Sequence, residues 1–101
     1  MFRVRMEAGA KDNLRQHHDN LKSRNLGSSY PDRWYVGIRA AIRDLAASAK
    51  ECGLACEDRF FAEAIRQRLF DSYKIQFVIR DDRVHVLHIR HHAQVPEDLV
   101  R

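Results

Sequence analysis

The sequence has few cysteines, no long apolar run, and no internal repeat or low-complexity segment. Cys52 and Cys56 are the only cysteines, and two cysteines four positions apart are rarely bridged, so a disulfide scaffold is not expected. No stretch approaches the roughly 20 apolar residues of a membrane helix, and the charged start does not resemble a secretory signal. These absences predict a cytoplasmic protein with reduced thiols and no membrane contact.

What is present is typical of a folded chain. Hydrophobic residues make up 45% of the 101 residues, which is enough for a buried core, and the length predicts one domain spanning 1–101. Residues 93–101 contain a proline and no clear period, so we expect a loose tail or one helical turn there. The net charge of +4 permits a nucleic acid or an acidic protein as partner and requires neither.

Residue periodicity predicts the order strand, helix, helix, strand, strand, strand. The second helix has the stronger apolar stripe, and the short break between the helices, with Gly27 able to end the first one, predicts an antiparallel αα-hairpin. Two helices cover only one face of a small sheet. The sequence therefore predicts an α+β fold with a small antiparallel sheet, an αα-hairpin packed on one face and an open face opposite. The predicted elements lie at 2–6, 7–25, 31–51, 64–70, 73–80 and 84–92.

The last two strands carry the clearest motif. Two strand-like runs, Y-K-I-Q-F-V-I-R and V-H-V-L-H-I-R-H, flank a polar break and predict a hairpin. This stretch resembles the C-terminal hairpin of the RelE/ParE superfamily, the toxins of type II toxin–antitoxin pairs. The matching positions are Tyr73, Lys74, Ile75, Val84, Val86, Leu87, Ile89, Arg90 and His91. The stretch S-S-Y-P-D-R-W-Y-V-G-I-R-A-A-I-R-D-L at 28–45 resembles the second helix of the same superfamily.

The resemblance implies a cognate antitoxin and one of two activities. A ParE-like toxin poisons DNA gyrase by binding, without chemistry of its own, whereas a RelE-like toxin cuts mRNA on the ribosome. The long helical hairpin and the lack of an Arg or Tyr after the final Arg–His motif favour the ParE-like activity. The basic strands and the histidines favour the RelE-like one. A non-toxic basic adaptor with the same fold is a third alternative.

Strand alternation predicts a cationic open face with no acidic residue on it. A solvated sheet face would also carry Lys and Arg, but the single sign of the charge favours a binding face for a polyanion or an acidic peptide. The apolar residues predicted to face the helices are Phe2, Val4, Ile65, Leu69, Tyr73, Ile75, Phe77, Leu87 and Ile89. The residues predicted on the open face are Arg3, Arg5, Arg66, Arg68, Lys74, Arg80, His88 and Arg90.

Candidate functional residues follow from these assignments. If the protein is a ribonuclease, a histidine beside phosphate-binding cations can act as general acid or base, and the candidates are His88, His91 and His92. Tyr73, Lys74 and Arg80 are then candidates for positioning the phosphate. The predicted antitoxin contacts are the open-face arginines and the thin apolar stripe of the first helix at Leu14 and Leu21. No spacing of histidine and cysteine matches a zinc site, so neither a metal nor a cofactor is predicted.

Overall fold

The computed structural model of the chain describes residues 1–53 and 64–91. Predictions about Cys56, His92 and the tail lie outside these residues. The order of elements and the α+β fold are confirmed. The elements are β1 (Arg3–Met6), α1 (Ala8–Arg24), α2 (Tyr30–Ser48), a single 3-10 turn (Ala49–Glu51), β2 (Arg66–Phe70), β3 (Tyr73–Arg80) and β4 (Arg83–His91).

The four strands form one sheet in the order β1-β4-β3-β2. The strands β2, β3 and β4 are joined by two-residue turns and pair antiparallel, as predicted. β1 pairs with β4 in parallel, with Arg3 opposite Arg83, so the sheet is mixed. No tight turn sets the direction of this pair, because almost the whole chain separates the two strands.

The core lies between the sheet and the helical hairpin. The predicted stripe of α2 is buried and packs against the central strands, with Trp34, Ile38 and Leu45 meeting Ile75 and Phe77 in one cluster. Each fully buried side chain of this size stabilises the fold by about 1.5–3 kcal/mol relative to its exposed state. We call the side of the sheet that contacts the helices the helix face, and the opposite side the second face.

α1 buries only Ala10 and Leu14, so its apolar contact with the sheet is small. Its polar side chains add a second kind of contact. Asn13 Oδ1 accepts a hydrogen bond from the backbone N–H of Ile89 at 3.0 Å, and His17 Nε2–H donates to the carbonyl oxygen of Ile89 at 2.8 Å. β1 ends at Met6, so the part of β4 around Ile89 is paired with β3 on one side and has no strand on the β1 side. The helix takes the place of that strand.

A β-bulge in β4 changes which side chains face the core. Phe77 pairs with Val86 and Gln76 pairs with His88, which leaves Leu87 as the extra residue. A bulge reverses the alternation of side chains on either side of it. The valines before the bulge therefore pack on the helix face, where polar-face positions were predicted, and Leu87 joins a cluster on the second face instead of the helices.

The two faces of β2 are also exchanged relative to the prediction. Leu69 is 64% exposed, while Phe70 packs on the helix face against the core cluster. A β-carbon added at Gly37 would lie 2.7 Å from the tip of the Phe70 ring, so glycine allows α2 to approach this strand closely. The prediction that Leu69 faces the helices is wrong, because Phe70 rather than Leu69 fills the space beside α2.

Candidate functional site

The second face carries a row of three arginines across neighbouring strands. Arg83 of β4 lies between Arg3 of β1 and Arg80 of β3, and all three are exposed. Neither Arg3 nor Arg83 forms an ion pair within the described residues. Like charges directly opposite each other destabilise a sheet, so this row costs stability in the free protein. It presents three bidentate donors that suit phosphate or carboxylate.

An acidic residue lies beside this row, on a face where none was predicted. Glu7 accepts a hydrogen bond from His85 Nδ1–H at 2.8 Å and lies 3.8 Å from Arg5 Nε. The His85 hydrogen bond holds the pKa of Glu7 below its ordinary value, and the charges of Arg5 and Arg80 act in the same direction. Glu7 therefore partly neutralises the positive charge of Arg5 and also interacts with Arg80 at one end of the arginine row.

The centre of the second face is buried rather than open. Val78 is 1% exposed and packs with Ile65 and the bulged Leu87, and Gln76 is 2% exposed. Arg90 Nε–H donates to the Gln76 side-chain oxygen at 3.1 Å. The predicted continuous cationic surface is thus divided. The arginine row lies at one end, and Lys74 and Arg90, which are paired across β3 and β4, lie at the other.

Arg66 and Arg68 lie on the helix face, so their predicted place on the open face is wrong. Arg66 Nη1–H donates to the carbonyl oxygen of Cys52 at 2.7 Å, just after the end of α2. Arg68 donates to the Asp44 carboxylate of α2. That hydrogen bond, and the positive charge behind it, hold the pKa of Asp44 below its ordinary value. Both guanidinium groups fasten β2 to the end of α2 instead of facing a partner.

The structure does not bring the candidate histidines together. His88 pairs with Gln76 on the second face, whereas His91 pairs with Tyr73 and its ring meets the Tyr73 ring edge-on at 5.1 Å on the helix face. Tyr73 is 8% exposed, and burial raises the pKa of its hydroxyl. Tyr73 is therefore separated from Lys74 and Arg80, the two residues with which it was predicted to position a phosphate.

The two residues predicted to contact an antitoxin lie in different places. Leu14 is buried in the core, and Leu21 is half-buried near the far end of α1. A groove with an apolar floor and a cationic rim runs beside Leu14, between α1, α2 and β1. Its two adjoining parts have volumes of about 360 and 170 Å3. The groove is lined by Val4, Met6, Lys11, Leu14, Arg15, His18, Tyr35, Arg39, Ile42 and Arg43.

The rim of this groove is held in place by α2. Arg39 donates a hydrogen bond to the Tyr35 hydroxyl at 3.1 Å, and its guanidinium lies 5.5 Å from the centre of the Tyr35 ring. His18 of α1 stacks on the same ring with centroids 4.5 Å apart, and its Nε2 lies 3.1 Å from Asp32 Oδ1. The groove therefore offers apolar contact with positive charge above it.

Two negative findings concern the residues that the structure describes. Within 1–53 and 64–91, no three histidine, cysteine or acidic side chains are grouped closely enough to hold a metal ion. No helix among the described residues is both long and apolar enough to span a bilayer.

Sequence reasoning missed Arg83, the Glu7–His85 pair and the groove. Arg83 was assigned to a turn, although it begins β4. The only signal for the arginine row is the parallel pairing of β1 with β4, which no local pattern reveals. The groove was missed because its floor combines Met6 of β1 with single residues of two helices, and such a set has no sequence period.

Comparison with known proteins supports the fold. No protein-family model matches the chain, and no curated protein matches it. Among solved structures, a chain of "Chromosomal ParDE TA system from P. aeruginosa" has a similar structure, with a TM-score of 0.75 and 15% sequence identity. The match covers 90% of this chain and 96% of that one. The fold expected from the resemblance to the RelE/ParE superfamily is therefore confirmed.

Proposed function

We propose that the chain, as one domain over 1–101, is the toxin of a type II toxin–antitoxin system that inhibits bacterial growth in the cytoplasm. The observation that carries this proposal is the shared fold with a chain of the ParDE structure, at a TM-score of 0.75 over 90% of the chain. The motifs in α2 and in the β3–β4 hairpin support it independently of the comparison. The toxin acts by binding and poisoning DNA gyrase, and a cognate antitoxin neutralises it.

The binding mechanism is preferred to RNA cleavage because of the histidines. Acid–base cleavage of RNA needs two titratable groups within reach of one phosphate. His88 and His91, the two predicted catalytic histidines that the structure describes, lie on opposite faces of the sheet, so these two cannot act together on one phosphate. Arg3, Arg80 and Arg83 form the surface proposed to contact the target, because they are exposed and place three positive charges on neighbouring strands.

The groove between α1, α2 and β1 is the proposed antitoxin surface. An apolar floor with a cationic rim is complementary to an amphipathic acidic segment, the kind of helix that docks into grooves. In this proposal Leu14 contributes to the floor, and Arg39 and Arg43 of α2 contribute charge. The predicted contact at Leu21 is outside this groove.

The second candidate function is a ribosome-dependent mRNA endoribonuclease of the RelE type. It is favoured by the cations at both ends of the second face and by His88 among them. The non-toxic adaptor would show the same surfaces without activity. Controlled expression in a bacterial host distinguishes these functions when growth, cellular mRNA and chromosomal DNA are followed in parallel.

We expect growth arrest with DNA breaks, an SOS response and intact mRNA. Cleaved mRNA with intact chromosomes would instead assign the protein to the RelE type. Normal growth in the presence of folded, soluble protein would contradict a toxin function in that host. Circular dichroism of the purified protein provides the folding control for this last outcome.

A further inference from the structure

A small cleft lies on the helix face, between the C-terminal half of α1 and the ends of β3 and β4. Its volume is about 260 Å3. This is below the roughly 300–1,000 Å3 of pockets that enclose drug-sized ligands, so it suits a small group. The cleft is distinct from the groove and from the arginine row. It is lined by His17, Asn20, Leu21, Arg24, Tyr73 and His91.

The rings in the cleft are arranged around Tyr73. The imidazoles of His17 and His91 both meet the Tyr73 ring edge-on, with centroids 4.9 and 5.1 Å away. His17 is fixed further by its Nε2–H, which donates to the carbonyl oxygen of Ile89. Burial lowers the pKa of His17, and the nearby charge of His91 lowers it further. Two imidazoles and a phenol are therefore held in a fixed geometry at one site.

The side chains of Asn20, Arg24, Tyr73 and His91 in the lining can donate hydrogen bonds, and the described lining contains no carboxylate. Arg24 is exposed and forms no ion pair with any residue in 1–53 or 64–91. The carboxylate whose charge acts on Tyr73 is Asp71, which already accepts a hydrogen bond from the Tyr30 hydroxyl at 2.8 Å. The cleft therefore favours an anion.

The end of α1 would by itself oppose an anion, because the last carbonyl groups of a helix carry partial negative charge. Here the following residue reduces this effect. The side-chain amide of Asn25 donates to the carbonyl oxygen of Leu21 at 2.8 Å, and its backbone N–H donates to Lys22. The full positive charge of Arg24 exceeds the helix-end charge of about half an elementary unit.

We propose that this cleft binds the phosphate group of a nucleotide. Arg24 supplies the charge through its planar guanidinium, and Asn20, Tyr73 and His91 supply hydrogen bonds. The half-buried imidazoles of His17 and His91 give the sugar or base a surface to pack against. Tyr73 and His91 were predicted singly as candidates to act on RNA, but their grouping with His17 and Arg24 was not predicted, and the site does not depend on the toxin function or on its target.

The test is an NMR titration of the full chain with inorganic phosphate, adenosine 5′-monophosphate and adenosine, monitored at the histidine side chains. We expect phosphate and the monophosphate to shift the His17 and His91 resonances with dissociation constants in the range of about 0.1–5 mM. Adenosine, which lacks the phosphate, should bind at least about tenfold more weakly than the monophosphate. Equal binding of adenosine, or no shift with either phosphate, would overturn the proposal.

A pair of variants distinguishes a specific phosphate site from nonspecific attraction of phosphate to positive charge. Arg24→Gln should weaken phosphate binding about tenfold, whereas Lys22→Gln should leave it within about twofold. Lys22 lies in the same helical turn but outside the cleft. Equal weakening by both variants would mean nonspecific attraction and would refute the site. Both residues are exposed, so neither change should disturb folding, which circular dichroism checks directly.

Discussion

The imidazole of His17 completes the hydrogen bonding of a strand from a helix, by donating from Nε2 to the carbonyl oxygen of Ile89 at 2.8 Å. Asn13, one helical turn earlier, accepts from the N–H of the same residue. β4 needs this contact because β1 ends four residues into the sheet. The two side chains replace the backbone groups that a longer β1 would have offered, which explains why α1 stays docked with so few apolar contacts.

Although Asn13 is only half-buried, replacing it should destabilise the fold clearly. Asn13→Ala leaves the N–H of buried Ile89 without its partner, which should lower the free energy of unfolding by about 1–3 kcal/mol. Urea denaturation followed by circular dichroism measures this. Gln16→Ala, on the exposed side of the same helix, is the control and should change the value by less than about 0.5 kcal/mol. Similar losses for both variants would contradict the contact.

The inverted face of β2 predicts opposite results for two adjacent residues. Phe70→Ala should lower the free energy of unfolding by about 2–3 kcal/mol, because its ring packs against α2 beside Gly37. Leu69→Ala should change it by less than about 0.5 kcal/mol, because that side chain is mostly exposed. Urea denaturation of both variants tests the orientation. A larger loss for Leu69→Ala would restore the orientation predicted from the sequence.

The Arg68–Asp44 pair predicts a pH-dependent contribution to stability. The folded-state pKa of Asp44 is lowered by Arg68, so the pair stabilises the fold above the ordinary pKa of 3.8. This contribution is lost as the pH falls through the lowered value. Asp44→Asn should therefore lower the urea midpoint at neutral pH and have little effect in strong acid.

A double-mutant cycle checks the cause of that pH dependence. In an Arg68→Gln background, the neutral-pH effect of Asp44→Asn should shrink, because the partner that lowers the pKa is gone. An unchanged effect in that background would assign the stabilisation to the neighbouring Ser48 hydroxyl, which also donates to Asp44.

The arginine row predicts a gain in stability together with a loss of activity. Changing Arg3, Arg80 and Arg83 to glutamine removes repulsion between like charges and should raise the free energy of unfolding by about 0.2–1 kcal/mol. The same variant should lose growth inhibition on expression, because these residues are proposed to contact the target. Urea denaturation and growth curves measure the two effects.

A charge-matched control is available on the helices. A triple change of Arg15, Lys22 and Arg33 to glutamine removes the same charge from α1 and α2 and should leave growth inhibition intact. Full inhibition by the arginine-row variant, or its loss in the control, would show that the row does not contact the target.

The groove predicts that changes at its rim weaken neutralisation by the antitoxin without changing growth inhibition. Arg39→Glu combined with Arg43→Glu reverses the charge at the rim, so the double variant should still inhibit growth but resist a co-expressed cognate antitoxin. The expected weakening is at least about tenfold in antitoxin affinity, since two charge contacts become repulsive. Arg33→Glu lies on the same helix outside the groove and should remain fully neutralised. Normal neutralisation of the double variant would place the antitoxin elsewhere.

The sequence predicts some elements well because their signal is local. The stripe of α2 from Trp34 to Leu45 repeats with the helical period, and its residues Trp34, Ile38, Ile42 and Leu45 are all buried. The β3–β4 hairpin is equally clear, because its two alternating runs flank the turn at Asp81, which adopts the left-handed conformation that aspartate tolerates. A local pattern with one strong period leaves little room for alternatives.

The predictions fail where a contact with a residue distant in sequence decides which face of a strand a side chain occupies. In β2, Arg66 and Arg68 alternate with Ile65 and Leu69, and hydrophobicity alone places the arginines outside. The carbonyl oxygens at the end of α2 and the Asp44 carboxylate bond the guanidinium groups and reverse that choice. The bulge at Leu87 is likewise invisible, because nothing in the run V-H-V-L-H-I marks where the alternation changes.

The pairing of β1 with β4 also sets the order in which the chain can assemble. β4 is an interior strand, yet it is the last described strand to be synthesised. Its residue Arg83 pairs with Arg3 of β1, which lies 80 positions earlier. A nascent chain that stops before β4 leaves β1 without a neighbour and one edge of β3 unpaired. High contact order of this kind slows folding, so the surfaces on β1 and β4 form together and only after β4 has left the ribosome.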